Sequence, residues 1–257
     1  MKLNKRYSRS IKSNLSFYIS TSILTIMTLV LFFTMNMAGE AIWKFGDDFF
    51  ASQKLEDANF TTYLPISDEE LTRLEKDYNV VLEPQYYSNI ETAGVTARVF
   101  RKNDKINLYQ VTEGTDAIQK DQVIISEGYA VFNNISIGDF ITIGEEGCKI
   151  PGFFQRPDYL YMLQNEDDSY KNVTTFFLAY VTDEAFEELG SKNCLYFVQY
   201  MEESSEEFRK AINEKYYMRT YLAAQENMRI DMVKMQAEMF IYMSYIILAV
   251  MPLVVVV

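Results

Sequence analysis

Two uncharged apolar stretches enclose an acidic, polar middle, and this arrangement restricts the chain more than any motif in it. Ser13 to Gly39 carries no charged side chain, and its core, Leu15 to Ala38, reads LSFYISTSILTIMTLVLFFTMNMA. As a helix it spans roughly 36 Å, enough to cross a hydrocarbon layer of ~30 Å with some tilt. The second stretch, Met239 to Val257, reads MFIYMSYIILAVMPLVVVV.

Charge orients the first span. Lys2, Lys5, Arg6, Arg9 and Lys12 precede it, and no Asp or Glu occurs before Glu40. A short basic segment stays cytoplasmic, so the chain after Ala38 is expected outside. All 36 acidic residues fall between Glu40 and Glu238, with 19 of the 24 basic ones, a net charge of about −17. A cleaved signal peptide has a shorter apolar region and a small-residue cleavage site. Met37-Ala38-Gly39 is only an approach to one, so the stretch reads as an uncleaved anchor. The expected divisions are a basic cytoplasmic N-terminus (1–13), a first transmembrane helix (14–39), an extracytoplasmic domain (40–225), a juxtamembrane stalk helix (226–238) and a second transmembrane helix (239–257). Val254 to Val257 ends without the Lys or Arg that marks a cytoplasmic border. The chain therefore reads as the N-terminal piece of something longer, its second span truncated.

The segment between the spans is large enough for a real core. Its acidity argues against nucleic acid, since no basic face can neutralise phosphates. Cys148 and Cys194 do not make a disulfide framework, and their spacing leaves pairing open. Three sequons begin at Asn59, Asn134 and Asn172, and matter only in a eukaryotic secretory pathway.

The periodicity predicts an α+β domain. Phe60 to Leu64 is β-rich, Ser67-Asp68-Glu69-Glu70 is a capping box, Leu71, Leu74 and Tyr78 follow at helical spacing, and Val80-Val81-Leu82 starts a strand. Thr175 to Val181 repeats the strand, Thr182 starts a short helix with Phe186 and Leu189, Gly190 ends it, and Leu195 to Val198 is a strand again. The stretches SDEELTRL and TDEAFEEL resemble one another. The expectation is two β-α-β units, as in ferredoxin-like or porter-like layers, with a β-rich inserted subdomain and two flanking transmembrane helices. Within the insertion, Val95–Phe100 and Ile106–Val111 read as a hairpin across Arg101 to Lys105. Val123 to Phe154 reads as a strand, a short helix from Glu127 to Asn133, a turn at Gly138-Asp139 and a hairpin closed by Gly144 to Gly147.

That last stretch resembles the extracytoplasmic domain of FtsX-like (MacB-type) ABC transporter permeases. The resemblance is carried by Ile125, Ser126, Glu127, Ala130, Ile135, Ile137, Gly138, Asp139, Ile141, Thr142 and Ile143. It continues through Gly152-Phe153 and Arg156-Pro157-Asp158-Tyr159-Leu160-Tyr161. It implies a permease subunit in a bacterial plasma membrane, a separate ABC ATPase subunit, and a second permease half or homodimer partner. It also implies motion relayed to an extracytoplasmic peptide, lipoprotein or cell-envelope partner. Pro151 departs from the pattern and predicts an edge or bulge for its strand.

Ser204-Ser205-Glu206-Glu207 caps a helix carrying Phe208, Ala211 and Ile212, with a break expected before Glu226. From Asn227 the spacing of Ile230, Val233, Ala237 and Ile241 predicts one helix running into the second span. Thr21, Thr25 and Thr28 form a stripe suited to helix packing. Neither span carries an ionisable residue, the usual mark of an ion route.

Catalytic chemistry finds little footing. There is no histidine, which removes Ser-His-Asp and Cys-His catalysis and His-dependent zinc sites. There is no G-x-x-x-x-G-K-[ST] phosphate loop. Glu166-Asp167-Asp168 and Glu202-Glu203 lack EF-hand spacing and read as solvated loops. No residue is singled out as catalytic, cofactor-binding or metal-binding. The reading is a non-enzymatic permease subunit. The same layout also suits a two-span sensor reporting to a cytoplasmic kinase, or an anchored assembly domain; further spans after Val257 mean permease, heptads mean sensor.

Overall fold

A computed structural model of the chain describes residues 12–165, 168, 170, 172–201 and 205–256. The basic segment before Lys12, Glu166, Asp167, Glu202, Glu203 and Ser204 lie outside the described residues. The chain divides into two compact units, Met1–Gly46 with Val233–Val257, and Asp47–Met232.

In chain order the elements are α1 (Leu15–Ser52), β1 (Ala58–Thr62), α2 (Asp68–Tyr78), β2 (Val80–Thr92), β3 (Val95–Phe100) and β4 (Gln110–Gly114). Then come β5 (Ile124–Ser126), α3 (Glu127–Phe132), β6 (Phe140–Ile143), β7 (Glu146–Lys149) and β8 (Gly152–Gln155). A 3-10 turn, Pro157–Tyr159, precedes β9 (Phe176–Tyr180), α4 (Asp183–Glu188), β10 (Asn193–Tyr200), α5 (Ser205–Tyr216), β11 (Met218–Ala223) and α6 (Met228–Val256).

The first unit is built from the apolar parts of α1 and α6, both long and apolar enough to cross a membrane. A half-buried stripe runs down α1 through Thr21, Thr25, Thr28 and Phe32 to the buried Gly39. Thr25 and Thr28 donate their hydroxyls to the carbonyls of Thr21 and Leu24, so neither leaves a polar group unsatisfied. At Gly39 the helices touch backbone to backbone. A Cβ there would lie 2.6 Å from Ile241 Cγ1 and 2.8 Å from the Ala237 carbonyl, so only glycine permits the approach. Asn36 Nδ2 reaches Ser244 Oγ at 3.5 Å, and the Phe32 and Tyr245 rings meet edge to face at 5.9 Å.

The second unit is a mixed α/β fold on a nine-stranded sheet in the order β11-β1-β10-β2-β3-β9-β5-β8-β4, beside a two-stranded β6-β7 hairpin. β1 and β2 are each antiparallel to β10, which lies between them, and α2 makes the crossover. β10 and β11 flank β1 in the same way, joined by α5. The β-α-β unit expected around Thr182 does not close on itself, because β2 and β3 stand between β9 and β10. The physical reason is edge occupancy: β10 already pairs with β1 and β2, and β9 with β3 and β5.

Local signals hold even where partners differ. Ser67 Oγ accepts from Glu70 N at 3.4 Å and Thr182 Oγ1 from Ala185 N at 3.3 Å, capping α2 and α4. Leu71 and Leu74 of α2 and Phe208 and Ile212 of α5 cover Phe60, Leu82 and Val198 in one core. Alternate residues of β9 feed two other cores: Phe177 and Ala179 with Val99 and Ile125, and Phe176, Leu178 and Tyr180 with Phe100 and Phe154.

The β-rich middle corrects three expectations. β3 does not pair with the segment after Lys105; it joins β2 in a hairpin and lies parallel to β9. The Ile106–Leu108 segment turns inward, with Asn107 at φ 51°, and β4 begins only at Gln110 to pair with β8. The insertion is therefore no separate β layer, since β4, β5 and β8 extend the main sheet. Pro151 precedes β8, which lies inside the sheet; the edge strand is β4, and the register irregularity falls on β4 between Val111 and Glu113. The expected turn at Gly138-Asp139 forms, with Gly138 at φ 95° and Asp139 Oδ2 accepting from Ser136 N at 2.8 Å. Helix α4 ends at Glu188, capped by Leu189, short of Gly190.

Candidate functional site

The second unit contains a buried charged centre where the peptide leaving α1 meets the peptide entering α6. Helix α1 ends at Ser52, with Lys54 in the left-handed region at φ 52° and Leu55 N donating to Phe50 O at 2.9 Å, a Schellman-type stop. Phe49 and Phe50 are buried. The next residues are clamped by the 103–109 segment. Asn107 N donates to Lys54 O and Leu108 N to Gln53 O, both at 2.9 Å. Glu83 holds that segment from beneath, accepting from the backbone N–H groups of Asp104, Lys105 and Ile106.

Glu56 follows, 2 % exposed. Its carboxyl accepts from Asn59 Nδ2 and Asn107 Nδ2, each at 2.7 Å. Burial, then the neighbouring Asp158 charge, push this carboxyl up to about 8, against the two amide bonds and the Arg156 charge. The sequon at Asn59 is thereby consumed in the core.

Arg156 is the centre's cation and is 1 % exposed. It grips Asp158 through Nε–Oδ1 at 2.9 Å and Nη2–Oδ2 at 2.8 Å. Its Nη1 donates to Gln85 Oε1 at 3.0 Å and Tyr180 OH at 2.8 Å, and the guanidinium lies over the Phe100 ring at 4.1 Å. Burial opposes the charge, but Asp158 and Tyr180 outweigh it and hold Arg156 above its ordinary pKa. A planar fork fits this set of acceptors, and an ammonium does not.

Tyr159 carries the connection to α6. Its hydroxyl accepts from Arg98 Nη1 at 2.6 Å, and Arg98 Nε donates to Asn89. Arg229, in the first turn of α6, stacks over the Tyr159 ring at 4.5 Å and donates to the carbonyls of Leu163 and Gln164. Asn227 caps α6, its Oδ1 accepting from Arg229 N at 3.1 Å. One turn, Arg156 to Tyr159, thus stands between the root of α1 and the root of α6.

These side chains form a buried, hydrogen-bonded network of charged and amide groups. Among the described residues no group of three or more His, Cys, Asp or Glu side chains is arranged to hold a metal ion. Both cysteine thiols are free. Arg156, Asp158 and Tyr159 were legible as a run in the sequence, but Glu56, Asn107 and Arg229 were not. Nothing local distinguishes Glu56 among 36 acidic residues. No protein-family model matches this chain, and no curated protein matches it.

Proposed function

We propose that this chain belongs to a permease subunit of an FtsX-like ABC transporter in a bacterial plasma membrane. Its N-terminus lies in the cytoplasm and the second unit outside. It is not an enzyme: a separate ABC ATPase subunit supplies the work, and a second permease half or a second copy completes the membrane part. The second unit acts on an extracytoplasmic peptide, lipoprotein or cell-envelope partner. The observation that supports this reading is the common rooting of α1 and α6 in the centre around Arg156 and Asp158. Glu56, just after α1, feels the Asp158 and Arg156 charges, and Arg229 of α6 stacks on Tyr159 of the same turn, which places both helix ends in one neighbourhood suited to relaying motion. The split strand order β11-β1-β10-β2 is that of ferredoxin-like layers and agrees with the porter-like domain the resemblance implies.

The test is affinity purification of the native full-length protein from its own membranes. An ABC-type ATPase is expected to co-purify in fixed proportion. Recovery of a cytoplasmic kinase in its place would favour the sensor reading.

A further inference from the structure

A cleft of about 700 Å³ lies in the second unit between the β6–β7 hairpin and α4. That size is within the range of ligand sites. Its floor is apolar, with Val99 and Ile143 buried and Val181 and Leu189 packed on the same cluster. Its rim is acidic. Asp121, Glu146 and Glu188 line it, and the one cation among the lining residues, Lys120, is already bonded to Glu188 at 2.5 Å. That hydrogen bond, with the Glu188, Glu184 and Glu146 charges around it, holds the Lys120 ammonium above its ordinary pKa.

Strand β7 also offers the cleft a free backbone edge. Lys149 N donates to Asp121 O, and Lys149 O accepts from Val123 N, both at 3.0 Å. These bonds point away from β6, and a strand repeats its direction every second residue. Gly147 therefore turns its N–H and C=O to the same side, where no backbone partner meets them among the described residues. Gly147 is exposed, and a Cβ added to it would touch nothing within 4 Å.

The geometry points to a binding site here for an extended peptide segment that carries a lysine or arginine beside an apolar side chain. The peptide main chain pairs with Gly147 as an added strand, the apolar side chain fills the floor, and the cation meets Glu146 and Asp121. A fatty or sterol ligand would leave the Gly147 groups unmet, and an anionic one would face the rim charge. The cleft and the Gly147 edge lie wholly within the second unit, whether or not the chain is a permease.

The experiment uses the full chain in nanodiscs of zwitterionic lipid, with Ac-Thr-Val-Lys-Val-Thr-NH2 and its Lys→Glu counterpart as probes. Equilibrium dialysis measures affinity, and alkylation of Cys148 in a Cys194→Ser chain reports location. The lysine peptide is expected to bind, to slow Cys148 alkylation, and to exceed the glutamate peptide by about tenfold in affinity. Glu146→Gln should weaken it roughly threefold, and Ala185→Phe, which fills the cleft, should remove binding. Methylating the peptide's central amide nitrogens should also remove it, with no change to the protein. Equal binding of the two peptides, binding without protection of Cys148, or no binding to the unmodified chain would each overturn the proposal.

Discussion

Glu56 and Asn107, 51 positions apart, hold one another reciprocally. Glu56 N donates to Asn107 Oδ1 at 3.0 Å, and Asn107 Nδ2 returns a bond to Glu56 Oε2 at 2.7 Å. The backbone of Asn107 is left-handed, φ 51°, and both its side-chain polar atoms meet Glu56. The pair fixes the peptide between α1 and β1 against a loop that belongs to neither.

The carboxyl of Glu56 gives stability an unusual pH dependence. Its pKa rises from an ordinary 4.5 to about 8, so below pH 4.5 it is protonated whether the chain is folded or not. Between those values the folded form keeps a proton that the unfolded chain releases. Stability should fall as pH rises through this window, by up to ~1.4 kcal/mol per pH unit. The chain has no histidine to obscure the effect. The melting temperature is expected to drop from about pH 5 to about pH 8, and Glu56→Gln should flatten the profile. A profile unchanged by that substitution would refute the assignment.

Arg156→Met should destabilise the second unit by about 3–5 kcal/mol, because Asp158 then stays buried without its cation. Arg156→Met combined with Asp158→Leu should cost less than Arg156→Met alone. Denaturant unfolding of the three chains measures the difference.

Gly39→Leu should separate α1 from α6. The side chain would collide with Ile241 and the Ala237 carbonyl, and overpacking of this kind costs about 1–3 kcal/mol. Oxidative cross-linking of Asn36→Cys to Ser244→Cys, in a background without Cys148 and Cys194, should be slowed by Gly39→Leu and unaffected by Met37→Leu, since Met37 is exposed.

Single cysteines at Lys102 and Glu146, again without the native thiols, should react with an impermeant maleimide on intact cells. Protection of both until the membrane is opened would reverse the proposed orientation.

Helix α6 is unbroken from Met228 to Val256. Met235→Pro removes a backbone hydrogen bond and kinks it, at about 3 kcal/mol, whereas Met235→Ala removes only an exposed side chain. At matched membrane levels, under the proposed permease reading, the proline chain should still assemble with the ATPase subunit and lose transport output, and the alanine chain should keep it. Equal output would make α6 a tether.

Features that depend on neighbours along the chain were legible. The capping hydroxyls of Ser67 and Thr182, the turn at Gly138, the short helix from Glu127 and the helix through Ile230, Val233 and Ala237 all form. Strand partnership was not legible. Pro84 sits within β2, a strand long enough to pair with β10 over one part and β3 over another. Pro84 faces Tyr196 of β10, in a part of β2 that β3 does not reach, so its missing N–H costs no bond there. The hairpin expected across Arg101 to Lys105 failed for a related reason. Glu83 captures the N–H groups of Asp104, Lys105 and Ile106 before β4 can turn back on β3.

The sequence by itself determined two helices long and apolar enough to cross a membrane, an acidic mixed α/β unit between them, and where most helices start. These depend on hydropathy, spacing and capping within a few residues. Only the tertiary structure decided that β10 serves two crossovers, that β4, β5 and β8 extend one sheet, and that Glu56, Arg156 and Arg229 gather around a single turn. Those choices depend on which edges and donors remain free once distant segments meet. A carboxylate, an amide or a guanidinium shows its partner only when burial removes water as the alternative.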